Sequence, residues 1–437
     1  MFGDVTFSLI ALSVGLAIFL YYYSTRNFKY WKQQNVPYIQ PLPFLGSLKD
    51  ITFQKTSVGH FLKRIYDDYK GQPYVGMFSF DKLAVVVRDL DLTKQILIKE
   101  SQNFQDHLIV TDSKLEPLAS RNLFMLKGPK WRHMRNYLSP TFTSGKMKTM
   151  FHLVENCAKI FDNYLDSATA DGNFIDVKYA TSKFTTDVIS SCAFGIDSNA
   201  LTDTEAEFHK HLNKAFQFDS LKAVKSVALI FAPKFLTYLR MRLFEKNFYD
   251  FVRRTVWTTM DYRDKHGISR KDFLDSLRDL KNRVQEAQMD DPFQKTLRKF
   301  PPLPFLDRIC ARDYPFPAPS GKGTVIIPAG TAVYIPLLGL HYDPEYYPDP
   351  EKFNPERFSE ENKQKRPGLT YLPFGDGPRI CIGMRFGLMQ AKCGLIHIIS
   401  RYNVSPCKKT QIPMILDKKS FMTAAKGGIN LSFQRLK

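Results

Sequence analysis

The stretch Pro373-Phe374-Gly375-Asp376-Gly377-Pro378-Arg379-Ile380-Cys381-Ile382-Gly383 joins a glycine-rich turn to one cysteine, directly before a helical pattern. Glycine lets a backbone approach a flat ligand closely. Main-chain amides and the amino terminus of the following helix stabilise a thiolate there, as an iron ligand requires. A single cysteine in a turn is more often a free structural residue. The stretch alone leaves both interpretations open, an iron-bound thiolate and a structural thiol.

The stretch also resembles the heme-binding signature of the cytochrome P450 superfamily, Phe-x-x-Gly-x-Arg-x-Cys-x-Gly, and the chain resembles its microsomal insect-type members. Phe374, Gly377, Arg379, Cys381 and Gly383 fill the defined positions. The resemblance implies heme b as cofactor, with Cys381 as the thiolate ligand of its iron. It also implies that Arg379 pairs with a heme propionate and that Phe374 shields the sulfur. The implied fold is α+β, mainly α with small β-sheets.

Three further stretches match this family. Trp131 and Arg135 match its Trp-x-x-x-Arg pair, which lies on one helix face and approaches a heme propionate. A lone pair of this spacing is more often a surface arginine beside a packed tryptophan. Residues 297–304 and 355–358 match the stretches that supply two arginines to a buried network. The resemblance thus implies that Arg298 and Arg357 help to lock the heme-binding loop.

Composition limits the class of protein. The chain has 437 residues, of which 44% are hydrophobic and 24% charged, and its formal net charge is +19. These values exclude a disordered, collagen-like or small disulfide-stapled chain. The cysteines are scattered without a CxxC pair, so neither a disulfide framework nor a zinc knuckle is indicated; they are Cys157, Cys192, Cys310, Cys381, Cys393 and Cys407.

The amino-terminal residues predict a membrane anchor over residues 1–25. The run from Val5 to Tyr23 has no charged residue and is close to the ~20 residues that cross a bilayer as a helix. Arg26, Lys29 and Lys32 follow it, so the positive-inside rule places the rest of the chain in the cytosol. A cleaved signal peptide is the alternative, but its positive end should precede the apolar run.

A basic, proline-rich hinge is expected over residues 26–46, between the anchor and a catalytic domain over residues 47–437. Aromatic side chains near the anchor are expected at the headgroup level, namely Tyr21, Tyr22, Tyr23, Tyr30 and Trp31. Within the domain, helical spacing dominates from about Leu62 to Arg283, as in Phe273, Leu277, Leu280 and Val284.

Several shorter elements are predicted. Residues 83–87 indicate a strand, and residues 324–327 and 331–335, joined by Pro328-Ala329-Gly330, predict a β-hairpin. A last amphipathic helix follows Cys381, with Phe386, Met389, Leu395 and Ile399 along it.

Residues 121–150 contain seven Lys or Arg and no Asp or Glu. A solvated basic face is the ordinary explanation of such a run. The family resemblance implies another use, the docking of an acidic NADPH-dependent flavin reductase, with cytochrome b5 as a further electron donor. No nucleic-acid-binding motif is apparent. We expect structural or surface roles for His107, His133 and His341, and the segment from Phe104 to Phe124 matches the family's variable substrate-facing loop.

The chain departs from the family at one place. The central helix with its Ala/Gly-Gly-x-Asp/Glu-Thr stretch is absent from the sequence, so no catalytic acid or threonine is identifiable. Lys295 stands three residues before Arg298, where the family has glutamate. Residues 271–281 resemble the segment before the central helix, whereas residues 296–298 belong to a much later one. We therefore predict an internal deletion near 282–295, with Asp291 and Pro292 starting a short helix at the junction.

Two functions are consistent with these features. The first is an endoplasmic-reticulum monooxygenase that inserts one oxygen atom of O2 into a small apolar substrate, using electrons from NADPH through a reductase. The second is an impaired or inactive splice or truncated variant that keeps the anchor and the heme-ligand loop. Loss of a carboxylate from a buried arginine network costs ~3–5 kcal/mol, against a net stability of ~5–15 kcal/mol. We therefore expect poor heme binding and slow or absent turnover.

Overall fold

The computed structural model describes residues 2–170, 174–217, 219–242, 244–278 and 294–436. Helices dominate, as the sequence predicts. Their bounds are α1 (Phe2–Thr25), α2 (Tyr30–Gln33), α3 (Lys49–Thr52), α4 (Val58–Asp68), α5 (Leu90–Lys94), α6 (Gly128–Leu138), α7 (Ser144–Thr169), α8 (Val177–Ile189), α9 (Glu207–Phe216), α10 (Ser220–Phe231), α11 (Pro233–Tyr238), α12 (Lys246–His266), α13 (Phe273–Arg278), α14 (Gln294–Lys299), α15 (Leu337–His341), α16 (Glu360–Lys365) and α17 (Met384–Arg401).

The strands are short and form three small sheets. They are β1 (Tyr74–Ser79), β2 (Lys82–Val87), β3 (Phe174–Asp176), β4 (Leu306–Ile309), β5 (Tyr314–Pro317), β6 (Thr324–Ile327), β7 (Ala332–Ile335), β8 (Tyr402–Pro406) and β9 (Asn430–Arg435). The largest sheet has the order β1-β2-β7-β4, in which β2 and β7 are parallel. The others are β3-β9-β8 and β5-β6.

The largest sheet is buried on both faces, because successive side chains of a strand point to opposite sides. Along β2, Val85 and Val87 join one hydrophobic cluster, whereas Ala84 and Val86 join another. The near-continuous apolar run of β2 is therefore what a sheet covered on both faces requires.

A third cluster is helical and lies mainly between α7, α8 and α17. Thr143 caps the amino terminus of α7, since its side chain accepts a hydrogen bond from the Lys146 amide. Apolar residues then recur along α7 at intervals of three and four, including Met147, Met150 and Val154. The loop that carries Cys381 precedes α17 and so joins this cluster to the sheet region.

The amino-terminal helix α1 contains Val5–Thr25, the one helix among the described residues that is long and apolar enough to cross a membrane. The prediction that Trp31 lies at the headgroup level is wrong. Trp31 is fully buried. Its ring packs directly over Gly76, so that any side chain at position 76 would collide with it. Its indole N–H donates to the Met77 carbonyl at 3.1 Å. Residues after α1 thus pack onto the domain.

The predicted β-hairpin at residues 324–335 is also wrong, although both of its strands form. Strand β6 pairs with β5, whereas β7 lies between β2 and β4 in the largest sheet. The burial patterns of the two strands differ: β7 is buried throughout, whereas β6 is exposed at every other residue. The strand over residues 83–87 and the helix after Cys381 are confirmed. Leu280, Val284 and the Asp291–Pro292 helix start lie outside the described residues.

Candidate functional site

The loop that carries Cys381 is closed by its own backbone. The Cys381 amide donates a hydrogen bond of 2.9 Å to the Phe374 carbonyl, and Asp376 accepts one of 2.6 Å from the Gly377 amide at the start of a 3-10 turn. Gly377 has a φ of 70°, which residues with a Cβ rarely adopt. A Cβ at Gly377 would also collide with the carbonyl oxygen of Leu97. This position of the loop therefore requires glycine.

Phe374 and Gly383 lie on either side of the cysteine. Phe374 is half-buried, and its carbonyl holds the Cys381 amide. Gly383 is the residue that precedes α17, and the atom nearest to a Cβ placed there is a ring carbon of Phe142, at 4.0 Å. Shielding of the sulfur by the Phe374 ring stays a prediction.

Cys381 is the exposed member of six free cysteines. The surrounding protein still removes water from the sulfur and raises the pKa of Cys381, whereas the Gly383 amide and the positive charge of Arg135 act to lower it. The thiol also lies just before the amino terminus of α17, where the helix dipole favours negative charge. An accessible thiol in this position is suited to bind a metal as a thiolate.

Arg379 is the most firmly held side chain of the loop. Its side chain is 4% exposed, and its guanidinium forms an ion pair of 3.1 Å with Asp106. It donates further hydrogen bonds of 2.8 Å to the carbonyls of Gln105 and Leu126. Burial lowers the pKa of Arg379 to about 10, and Asp106 opposes that change. The side chain thus ties the cysteine loop to the chain between α5 and α6.

Trp131 and Arg135 both reach the loop from α6. Arg379 lies over the ring of Trp131 at 4.1 Å from its centroid, close enough for a cation–π contact. One turn further along α6, Arg135 donates a hydrogen bond of 2.9 Å to the carbonyl of Ile380. The spacing of four residues therefore brings both side chains to the loop, as the sequence pattern indicates.

Sequence analysis did not identify Asp106 and Asp307, two acidic residues outside the cysteine loop that bind Arg379 and the neighbouring segment. Asp106 accepts a hydrogen bond of 2.9 Å from the amide of Gly128 at the start of α6, in addition to its ion pair with Arg379. Asp307 of β4 accepts hydrogen bonds from the ring of His107 and from the Leu108 amide. No local pattern could reveal these partners, because Asp106 and Arg379 are 273 residues apart.

The arginines of the predicted network lie elsewhere. Arg298 of α14 is 2% exposed and donates hydrogen bonds of 2.6 Å to the carbonyls of His341 and Pro350. Arg357 is half-buried, donates to the Asp349 carbonyl at 2.8 Å, and keeps a buried Nε atom that has no partner within the described ranges. Burial lowers the pKa of Arg298, and the charge of Arg357 lowers it further, against the effect of Tyr342.

The three histidines have the roles that the sequence favours. His107 stacks on Phe124, with ring centroids 4.0 Å apart, and His133 is exposed on α6. His341 is fully buried, and burial lowers its pKa to about 3. Its Nε2 atom accepts a hydrogen bond of 3.0 Å from the Leu372 amide, so His341 connects Arg298 to the chain just before the cysteine loop.

Comparison with known proteins shows which family the chain resembles. The family model described as Cytochrome P450 matches residues 36–295 and 293–431. Cytochrome P450 6j1 of Blattella germanica is 39% identical over an alignment of 500 positions that covers 99% of each chain. Cytochrome P450 6k1 of the same species is 36% identical, over 98% of this chain and 96% of that protein. Probable cytochrome P450 6a14 of Drosophila melanogaster is 32% identical, over 99% of each chain.

Proposed function

The chain belongs to the cytochrome P450 family, and from this premise we propose that Cys381 is the iron ligand of a monooxygenase acting on a small apolar substrate. Members of the family are heme-dependent oxidoreductases that receive electrons from NADPH through a reductase. A bound heme with a thiolate ligand would supply the activation of O2, in which one oxygen atom enters the substrate and the other becomes water with two electrons from NADPH and two protons. The substrate is a xenobiotic or a lipid-like endogenous compound.

The residues around Cys381 fit a thiolate ligand of heme. The observation that carries the proposal is an exposed, free thiol at the start of α17, in a loop whose shape depends on Gly377. We propose that Arg135 and Arg379 also hold the heme propionates. Arg135 binds a protein carbonyl, and Arg379 binds several carbonyls and the Asp106 carboxylate, but a guanidinium has five N–H donors and can bind a further acceptor. Trp131 keeps Arg379 in place for this purpose.

Membrane attachment and partners follow from the surface. We propose that α1 anchors the chain in the endoplasmic reticulum membrane with the domain in the cytosol, because Arg26 and Lys29 follow the apolar run. The exposed side chains of Lys130 and Arg132 on α6 would attract an acidic flavin reductase. Cytochrome b5 would use the same face, and nucleic acid is not a partner in this proposal.

A second candidate function is favoured by the break in the family match. We propose that the chain lacks an internal segment near 282–295 and is therefore impaired. Two facts support this: the family model matches in two parts that meet at residues 293–295, and the alignment with cytochrome P450 6j1 is 500 positions long, which is longer than the 437 residues of this chain. The carbonyl partners of Arg298 also support it, because an arginine paired with a carboxylate would be better compensated.

The reduced, carbon monoxide-bound spectrum of the full chain tests both candidates. We expect a thiolate Soret band with less than one heme per chain in the wild type, and no such band in Cys381→Ser. Cys407→Ser is the matched control, because this half-buried thiol lies outside the loop. An unchanged spectrum in Cys381→Ser contradicts the ligand assignment, and absence of the band from the wild type favours the impaired variant. Sequencing the transcript across Leu280 to Thr296 tests the deletion itself.

A further inference from the structure

A groove with a cavity volume of about 870 Å³ runs between α7 and α17. This volume lies within the ~300–1,000 Å³ of small-molecule sites. About half of the lining residues are apolar and come from both helices, and they include Met147, Phe151, Met384, Leu388, Met389 and Ile396. Phe151 is 44% exposed and Ile396 is 58% exposed, so the groove presents apolar surface to solvent.

The two helices run in the same direction along the groove. At one end, Phe142, just before α7, is the residue nearest to Gly383, just before α17. At the other end, Asp162 of α7 accepts a hydrogen bond of 2.8 Å from His397 of α17. The lining of α17 runs from Met384 to His397, a length of about 20 Å at the helical rise. One extended acyl chain is about 15 Å long, half of a bilayer's hydrocarbon core.

Charge is distributed unevenly along this groove. Lys148 and Arg385 lie toward the amino-terminal end and Lys392 lies further along, whereas Glu155 is the acidic lining residue. The amino termini of α7 and α17 lie at the same end and add positive potential there. The amino-terminal end of the groove is thus basic, and apolar side chains continue beyond it beside Glu155 and Lys392. This arrangement complements an anionic head on a hydrocarbon chain.

The source of such a ligand follows from where the anchor joins the domain. Just after α1, Arg26 forms an ion pair of 2.8 Å with Asp81 in the β1–β2 turn. The Tyr30 hydroxyl donates a hydrogen bond of 2.5 Å to the Ile326 carbonyl of β6. These contacts belong to the sheet region, whereas Met147 and Cys393 of the groove belong to the helical cluster. The attachment therefore favours a free amphiphile over a lipid held in the bilayer.

We propose that the groove between α7 and α17 binds a free long-chain carboxylate. Its carboxylate lies near Lys148 and Arg385, and its chain follows Met384, Met389 and Ile396. Methionine side chains are flexible and polarizable, so they adapt to a chain of variable shape. This site requires no heme, and its α17 wall begins at Met384, directly after the loop of Cys381.

Equilibrium dialysis of labelled palmitate against the full chain in nanodiscs tests the proposal, with binding to empty discs subtracted. Ile396→Asp places a charge on the apolar wall and should weaken palmitate binding by about tenfold or more. Leu395→Asp is the matched control, because Leu395 is the next residue of α17, is 42% exposed and does not line the groove. It should leave the affinity within about twofold. Both positions are exposed, so folding should survive and circular dichroism verifies it.

Two further measurements identify the ligand end and the source. Lys148→Glu should weaken palmitate binding about fivefold and leave hexadecanol, which has no charge, unchanged. Palmitate binding that resists both Ile396→Asp and Lys148→Glu would overturn the proposal, since the ligand would then lie elsewhere. The proposal would also be overturned if the chain sedimented with vesicles of anionic phospholipid instead of binding palmitate, and if the same variants reduced that sedimentation. Because no readout uses heme, the result is independent of the proposed monooxygenase function.

Discussion

Two buried guanidinium groups, Arg379 in the cysteine loop and Arg298 on α14, are almost equally hidden from water and differ in how they are compensated. Arg379 has a carboxylate partner, Asp106, and an aromatic face, Trp131. Arg298 also has aromatic neighbours, since it lies over the rings of Tyr342 and Tyr347 at 5.3 and 5.1 Å. However, it donates its hydrogen bonds to two carbonyls and lies near a second cation, Arg357. The first region is locally complete, whereas the second follows the break in the family match.

This difference indicates that the cost of burying a cation is well offset at Arg379 and only partly offset at Arg298. Carbonyl dipoles satisfy the N–H groups of Arg298 but carry no net charge, so the cost of burying its cation is only partly offset. Burial lowers the pKa of both arginines; Asp106 opposes the change at Arg379, whereas Arg357 adds to it at Arg298. We therefore expect the cysteine loop to be the more stable of the two regions.

The largest expected effect is from Arg379→Ala. It leaves Asp106 without its cation and removes the hydrogen bonds to the carbonyls of Gln105 and Leu126. The free energy of unfolding in urea should fall by about 3–5 kcal/mol. Arg132→Ala, which changes an exposed arginine of the neighbouring helix α6, is the control and should cost less than about 0.5 kcal/mol. Equal losses in the two variants would contradict the importance of the Arg379 contacts.

An acid titration should separate the two regions. Burial lowers the pKa of His341, beside Arg298, to about 3, whereas an unfolded histidine has a pKa of ~6.5. The unfolded chain therefore binds the proton first, and the stability that His341 contributes above pH 6.5 is lost as the pH falls from 6.5 toward 3. At pH 5 this loss is about 2 kcal/mol. Urea unfolding should show the loss between pH 7 and pH 5.

Asp307, which binds His107 and Leu108 near the cysteine loop, should affect the free energy of unfolding over a lower pH range. Burial would raise its pKa, but His107 and the Leu108 amide outweigh this and lower it to about 2. Its contribution is therefore kept above pH ~4 and lost as the pH falls toward 2.

The variant His341→Gln tests the assignment of the upper pH range. In this variant, the free energy of unfolding should change less between pH 7 and pH 5 than in the wild type, and an unchanged pH dependence would contradict the assignment to His341.

A smaller effect, and a gain, is expected from Lys295→Glu. The substitution places a carboxylate three residues before Arg298 in the sequence, where the family has glutamate. A hydrogen bond to a buried charged group contributes about 1.5–3 kcal/mol, so we expect a gain of about 1.5 kcal/mol in the free energy of unfolding. Thr296→Glu is the control, because Thr296 is exposed on α14 and its substitution should change little. A loss of stability in Lys295→Glu would show that Arg298 needs no carboxylate.

Sequence reasoning succeeded where the information is local. The turn around Cys381, the helix after it and the spacing of Trp131 and Arg135 depend on residues within a few positions of one another. It failed for β6 and β7, because each strand of that apparent hairpin pairs with a distant partner. It also failed for Trp31, because its burial depends on the missing side chain of Gly76.

The partners of Arg379 and Arg298 could not be predicted from the sequence for the same reason, because they depend on contacts between distant residues. Asp106 lies in a segment that the family resemblance assigns to a substrate-facing loop, yet its carboxylate holds Arg379. A carboxylate and a guanidinium carry no signal in one sequence that they meet across 273 residues. The carbonyl partners of Arg298 are equally invisible, because every residue has a carbonyl group.

The smallest expected effect comes from Asp106→Asn, which separates the charge of Asp106 from its hydrogen bonds. The Asn oxygen can still accept from the Gly128 amide and from Arg379. The side chain of Asp106 is 24% exposed, so solvent screens the lost charge and we expect a cost of about 0.5–1 kcal/mol. Because salt screens an exposed charge, the difference from the wild type should shrink in 1 M sodium chloride. A cost as large as that of Arg379→Ala would mean that the carboxylate charge, and not the carbonyls, holds the loop in place.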